Sequence, residues 1–168
     1  MTPRSNAPIG TWTLRSATPD DVEAIAAVWY EGWIDGHQEH VPPALHRHRR
    51  LEHFRARVGP RVPRTTVAVD GSSVIGFVTI HDDELEQLFV TAAARGTGVA
   101  AALLDEGERV IGDSFDDAWL AVVAGNERAR RFYSRQGWRD ASAIDYVAET
   151  AEGGLPVPSR RYEKRVRR

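Results

Sequence analysis

Three groups of residues in this 168-residue chain have the types and spacing for chemistry. The first is Arg95-Gly96-Thr97-Gly98-Val99-Ala100, set between a strand-like run ending at Val90 and an apolar helix-like run. A glycine turn that starts a helix leaves several backbone N–H groups without acceptors and lets a ligand approach closely, so a phosphate or pyrophosphate is its natural guest. A turn in which glycine only satisfies positive φ would read the same way. The second group is Asn126 and Tyr133, seven residues apart. On a helix they share a face with roughly 10 Å of axial separation, and the small Ala129 between them leaves room for one extended ligand. The same pair also suits a helix N-cap and a core aromatic. The third is Glu84 with Glu86, which alternate onto one face of a strand, either as a general base or as solvated carboxylates at a strand start.

Composition and spacing remove several classes. A P-loop needs Lys and Ser or Thr after its second glycine, and Gly98 is followed by Val99-Ala100. A dinucleotide fingerprint is closer, because Gly96 to Ala101 matches Gly-x-Gly-x-x-Ala, but the acidic residues at the required distance, Asp116 and Asp117, precede the next strand instead of ending it. A nicotinamide-dependent oxidoreductase is therefore the least favoured enzyme. Lys plus Arg total 22 against 24 for Asp plus Glu, a net charge of −2, so no overall positive field favours nucleic acid. The absence of cysteine excludes disulfides, thiolate metal ligands and a cysteine nucleophile. His37, His40, His46, His48 and His53 cluster in sequence, but no carboxylate spacing completes a metal site, so none is expected. No apolar run approaches the roughly 20 residues of a membrane helix, and residues 1–10 read as a flexible tail without a signal peptide, so a soluble, cytoplasmic protein is expected. The basic runs His46 to Arg50 and Lys164 to Arg168 read as solvated surface.

The elements that must position these groups follow from periodicity. Trp12, Leu14 and Ala17 suggest a first strand, and Pro19 starts a helix whose face is Val22, Ile25, Ala26 and Trp29. Gly32, Gly36, Pro42 and Pro43 interrupt the next region, with a second helical piece from Pro43 or Ala44 to about Val58. Strands at 65–69, 74–80 and 84–90 are joined by Asp70-Gly71 and Asp82-Asp83 turns, and a long helix follows the glycine turn. A strand at 118–123, a helix at 126–136 and two weaker strands at 143–149 and 159–166 complete an α+β plan with one sheet in a single domain, 11–168.

Arg95, Gly98 and Ala100 fill, in order, a pattern of Gln or Arg, two residues, Gly, one residue, then Gly or Ala, which resembles motif A of the GNAT superfamily of N-acetyltransferases. Leu88-Phe89-Val90 is similar to the strand end that precedes this motif, and Asn126 to Trp138 is similar to the family's later segment of Asn, Ala, an aromatic-Tyr pair and Gly-aromatic. Ala92 stands where the family often has proline, a position without side-chain chemistry. The resemblance implies a GNAT-like mixed, mostly antiparallel central sheet flanked by helices. It also implies acetyl-CoA as cosubstrate, without a metal. The pyrophosphate would lie on the amides of Arg95, Gly96, Thr97, Gly98, Val99 and Ala100, and the pantetheine arm along Leu88, Phe89 and Val90, where many members carry a bulge, with Asn126 beside it. Tyr133 matches the family tyrosine placed by the sulfur, and Glu84 falls where some members carry a catalytic glutamate, with His81 and Glu31 as weaker bases. Trp29, Tyr30, Trp33 and some of the histidines would wall the acceptor pocket.

The implied activity is direct transfer of acetyl from acetyl-CoA to a primary amine of a small molecule. A protein N-terminal or lysine acetyltransferase and a non-catalytic acyl-CoA sensor are the other readings; the retained Tyr133 favours an enzyme. A membrane partner is not implied, and a homodimer is compatible with everything above.

Overall fold

The computed structural model describes residues 11–167, so the expected tail and Arg168 lie outside the described residues. Seven strands form one sheet in the order β1-β2-β3-β4-β5-β7-β6. They are β1 (Trp12–Ser16), β2 (Thr65–Asp70), β3 (Ser73–His81), β4 (Glu84–Val90), β5 (Asp117–Val123), β6 (Arg139–Thr150) and β7 (Gly153–Arg165). All neighbours are antiparallel except β4 and β5, which run parallel. Helices cover both faces. Val99, Leu103, Leu104 and Ile111 of α3 (Val99–Gly112) and Tyr133 of α4 (Glu127–Arg135) pack on one face, while Ile25, Trp29 and Trp33 of α1 (Val22–Gly36) and Phe54 and Val58 of α2 (Leu51–Val58) pack on the other. The three layers bury an apolar core on each side of the sheet. Among the described residues no helix is long and apolar enough to cross a membrane.

The expected elements appear with a few corrections. Gly32 does not interrupt the first helix, which runs on to Gly36, because the glycine gives the Phe89 ring room: a Cβ at Gly32 would lie 2.5 Å from Phe89 Cδ1. The second helical piece divides into a 3-10 segment, Pro43–His48, and α2, with Arg49 and Arg50 between them. The two late strands are much longer than expected and pair as a hairpin from Arg139↔Glu163 to Thr150↔Gly153.

Two irregularities of β4 set up the site. Against β3, Thr79 pairs with Gln87 but Ile80 pairs with Leu85, so Glu86 is an inserted bulge residue. The extra residue reverses the alternation, which places Leu85 and Leu88 in the same core although they are three apart. On its other edge, β4 shares a single register pair with β5, Glu84↔Trp119, and the strands then separate.

Candidate active site

The separation of β4 from β5 leaves a wedge-shaped cavity of about 440 Å³. One wall is β4 from Leu85 to Val90, the other is Leu120, Ala121 and Val122 of β5, and Asn126, Ala129 and Tyr133 of α4 close it. Beyond Glu84 the β5-facing edge of β4 has no ladder partner, so its backbone groups are available to a ligand.

The mouth of the wedge is the glycine turn. Gly96 and Gly98 have φ of 74° and 89°, a region in which side chains are strained, and a Cβ at either would meet nothing within 4 Å. Gly98 is the N-cap of α3 and its carbonyl accepts the first helical hydrogen bond, from Ala102 N–H at 3.0 Å, so the amides of Val99, Ala100 and Ala101 precede the helical ladder. These amides and the helix dipole favour an anion. Arg95, Gly96, Gly98 and Ala100 line the cavity; Thr97 and Val99 do not. The Thr97 hydroxyl donates to the Ala94 carbonyl, and Val99 is fully buried in the core. Arg95 is held by Asp35, which also accepts from Arg128 Nη2 at 2.9 Å, so the end of α1 is tied to both the turn and α4.

Asn126 is both the N-cap of α4 and a wall of the cavity. Its Oδ1 caps α4 by accepting from Ala129 N–H at 3.2 Å, and the residue lines the cavity with Tyr133. Tyr133 is 8% exposed, its ring 6.2 Å from that of Trp138 and 6.3 Å from that of Tyr162. Burial pushes its phenol above the ordinary value, at which a tyrosine is already protonated at neutral pH.

A second cavity of about 180 Å³ adjoins the first, and the two share His37, Glu86, Gln87, Phe89 and Ala121. Glu84 lines only this second cavity, and Tyr133 only the first, so the two candidate catalytic residues belong to different cavities that meet at the shared rim. Tyr146 Oη donates to Glu84 Oε1 at 2.5 Å. Burial raises the Glu84 carboxyl, the tyrosine hydrogen bond lowers it, and burial prevails. Neither glutamate is a solvated carboxylate. Glu86 accepts from Arg61 Nε at 2.8 Å and Arg64 Nη1 at 2.5 Å; burial pushes its pKa up, but hydrogen bonds from Arg64, Gln87 and Arg61 outweigh that and bring it down to about 2.

The weaker base candidates, His81 and Glu31, are exposed and line neither cavity. Trp29 and Trp33 line the second cavity, whereas Tyr30 packs on Phe54 with ring centroids 5.7 Å apart. Of the histidines, His37 alone reaches the rim: its Nδ1 is buried without a partner, and burial brings its pKa down to about 4. The others serve locally, His46 against the Gln38 carbonyl at 2.8 Å and His53 accepting from Arg50 N–H at 3.0 Å. Among the described residues no three metal-ligating side chains converge.

The basic run His46 to Arg50 is corrected in part, because His48 and Arg49 are buried and Arg49 lines the second cavity with Arg57 and Arg61. The sequence gives no signal for these arginines, since an arginine on a short amphipathic segment ordinarily faces solvent.

A family model described as the acetyltransferase (GNAT) family matches residues 22–138, a stretch that contains β4, the glycine turn and α4. The chain belongs to this family. It is 33% identical over 89 residues to an uncharacterized N-acetyltransferase of Mycobacterium bovis, a match covering 48% of this chain and 54% of the relative, and to the same extent to one of Mycobacterium tuberculosis. The matched stretch thus spans about half the length of these curated relatives. The GNAT fold recurs in solved structures. PaiA N-acetyltransferase from Thermoplasma acidophilum in complex with coenzyme A has a TM-score of 0.71 at 18% identity, covering 93% of this chain and 99% of that one. The yncA protein of Salmonella typhimurium with its cofactor acetyl-CoA has a TM-score of 0.67 at 14% identity, covering 94% and 95%.

Proposed function

We propose that this protein transfers the acetyl group of acetyl-CoA directly to a primary amine of a small molecule. The observation that carries this reading is the wedge between β4 and β5, which has anion-binding amides at its mouth and a second cavity joined to its far side at His37, Gln87 and Phe89. Gly96 and Gly98 fit a pyrophosphate because their missing side chains leave open space over the amides, and the unpaired edge of Leu88 to Val90 fits an extended amide-bearing arm. The same proteins' coenzyme A and acetyl-CoA complexes in this fold support the ligand.

Acetyl-CoA supplies an acyl carbon activated as a thioester. The amine nitrogen bonds to that carbon as the carbon–sulfur bond breaks; the nitrogen gives up a proton and the departing sulfur takes one. Backbone N–H groups on the open edge of β4 offer hydrogen bonds to the carbonyl oxygen as it gains charge. Tyr133 enters the step protonated and is the donor to sulfur. Glu84, with a carboxyl raised by burial, is the acceptor of the amine proton, a better base than an ordinary carboxylate.

Acetyl-CoA should raise the thermal midpoint, since a ligand that binds only the folded state stabilises it by mass action. A panel of small amines should release CoA in its presence. No stabilisation by acetyl-CoA, or turnover of peptide amines and no small amine, would overturn the reading.

A further inference from the structure

The second cavity holds more cation than its carboxylates neutralise by contact. Arg61 is fully engaged: Nε to Glu86 at 2.8 Å, Nη2 to Glu149 at 3.0 Å and Nη1 to the Arg57 carbonyl at 2.8 Å. The neighbouring Arg49 and Arg57 are not. Arg49 is 6% exposed, and its guanidinium has one hydrogen bond, to the carbonyl of its neighbour His48 at 3.1 Å. Arg57 lies with its guanidinium carbon 4.3 Å from the centroid of the Trp29 ring, its Nε buried and without a partner. Neither forms an ion pair among the described residues. The carboxylates that line the cavity are committed elsewhere, Glu86 and Glu149 to Arg61 and Glu84 to Tyr146.

A buried and a half-buried guanidinium facing one small cavity without a contacting counter-ion are costly in the empty protein. Desolvation penalises both charges, Arg61 repels each of them and Arg49 repels Arg57, and the attraction of Glu149, joined at Arg57 by Glu86, offsets this only in part. An anion placed between them would relieve both effects, and the planar forks suit carboxylate or phosphate oxygens. The position is specific. Arg49 and Arg57 line only the second cavity and not the wedge, and Trp33, Leu45 and Val157 add apolar lining to the same cavity.

We infer that the acceptor is a primary amine bearing an anionic group, carboxylate or phosphate, which Arg49 and Arg57 hold while the amine points to the rim at His37 and Gln87. This rests on the acetyltransferase reading and names the substrate class of that same site. Arg49 and Arg57 are thereby specificity-determining residues, with no part in the bond-making step.

The test compares matched acceptors on the full chain with acetyl-CoA: phenylalanine, phenylalaninamide and phenethylamine; γ-aminobutyrate and butylamine; phosphoethanolamine and ethanolamine. CoA release should favour an anionic member over its neutral partner by about tenfold or more in kcat/KM, the order expected for a hydrogen bond to a charged group. The carboxylate and phosphate pairs distinguish the two sources of charge. Arg49→Gln and Arg57→Gln should raise KM for the anionic member about tenfold while sparing kcat, the neutral partner and stabilisation by acetyl-CoA. Neutral amines turned over as well as anionic ones, or variants that affect both members equally, overturn the inference. If the variants do not fold, the wild-type pairs decide alone. If acetyl-CoA stabilises the protein but no anionic probe is turned over or adds further stabilisation with CoA present, the substrate class is wrong; if acetyl-CoA itself does not stabilise, the acetyltransferase reading fails first.

Discussion

Tyr133 sits against Trp138 and Tyr162, and burial raises its phenol beyond an ordinary value that already keeps the proton on oxygen at neutral pH. Tyr133→Phe keeps the ring and removes the donor. It should therefore retain stabilisation by acetyl-CoA and slow transfer by about tenfold or more, within the usual 10² to 10⁴ range or just short of it for a general acid. Glu84→Gln complements it on the base side: the loss should be greatest near neutral pH and shrink as pH rises, because more of the amine is then already neutral. Rates of CoA release across pH separate the two, and equal losses at every pH would assign Glu84 to acceptor binding instead. Glu86 is a poor control for Glu84, since it carries two arginines on its carboxylate. His37, neutral at pH 7 and buried on the shared rim, is the residue to which the base would pass if Glu84→Gln changes nothing.

At the scale of elements, the site is made by a strand that stops pairing and a helix that starts beside it. The Glu86 bulge turns Leu88 toward α3 and Phe89 toward α1, and the latter seats its ring on Gly32 and stacks on Phe77 with centroids 5.9 Å apart. That locked end of β4 lies along the wedge. The start of α3 depends on Gly98, which combines positive φ with open space over the turn. Gly98→Val should cost about 1 to 2 kcal/mol of stability from the left-handed backbone and abolish the acetyl-CoA shift, because the branched side chain projects where the anion must approach. Urea unfolding and thermal midpoints with and without acetyl-CoA measure both effects.

Across the whole molecule, a few at least partly buried ion pairs tie one element to another. Arg61 and Arg64, just before β2, meet Glu86 of β4, and Arg15 of β1 makes two bonds of 2.7 and 2.9 Å to Asp21 at the start of α1. Hydrogen bonds from Arg15 bring Asp21 down to about 2, and Glu86 also lies at about 2. Both folded values are below those of the unfolded chain, about 3.9 for Asp and 4.3 for Glu. Their stabilisation is therefore nearly complete above about pH 5 and is lost as pH falls through the unfolded values toward about 2. Glu86→Gln should lower stability near pH 7 by about 3 kcal/mol, as breaking a buried pair does, and reduce the further loss on acidification. Glu127→Gln, which removes an exposed i,i+4 pair, should change stability by about 0.5 kcal/mol or less. Urea midpoints at neutral and acid pH check the contrast.

Features that obey local rules are legible from the order of residues alone. Alternation and turn chemistry located β2, β3 and β4 within a residue or so, and the Asn126 to Tyr133 spacing located a capped helix with one cavity-facing side. Glycines that need positive φ marked the mouth of the wedge at Gly96 and Gly98. The limits of this legibility are equally physical. Gly32 reads as a break because intrinsic propensity disfavours glycine in a helix, yet the ring of Phe89, 57 residues away, makes it the residue that fits. Arg49 reads as surface within its basic run because desolvating an arginine is costly, and nothing in the sequence sets Arg57 apart. Only the arrangement of α1, the Pro43–His48 segment, α2 and the β6–β7 hairpin around one cavity encloses them, and with them the charge that would choose the acceptor.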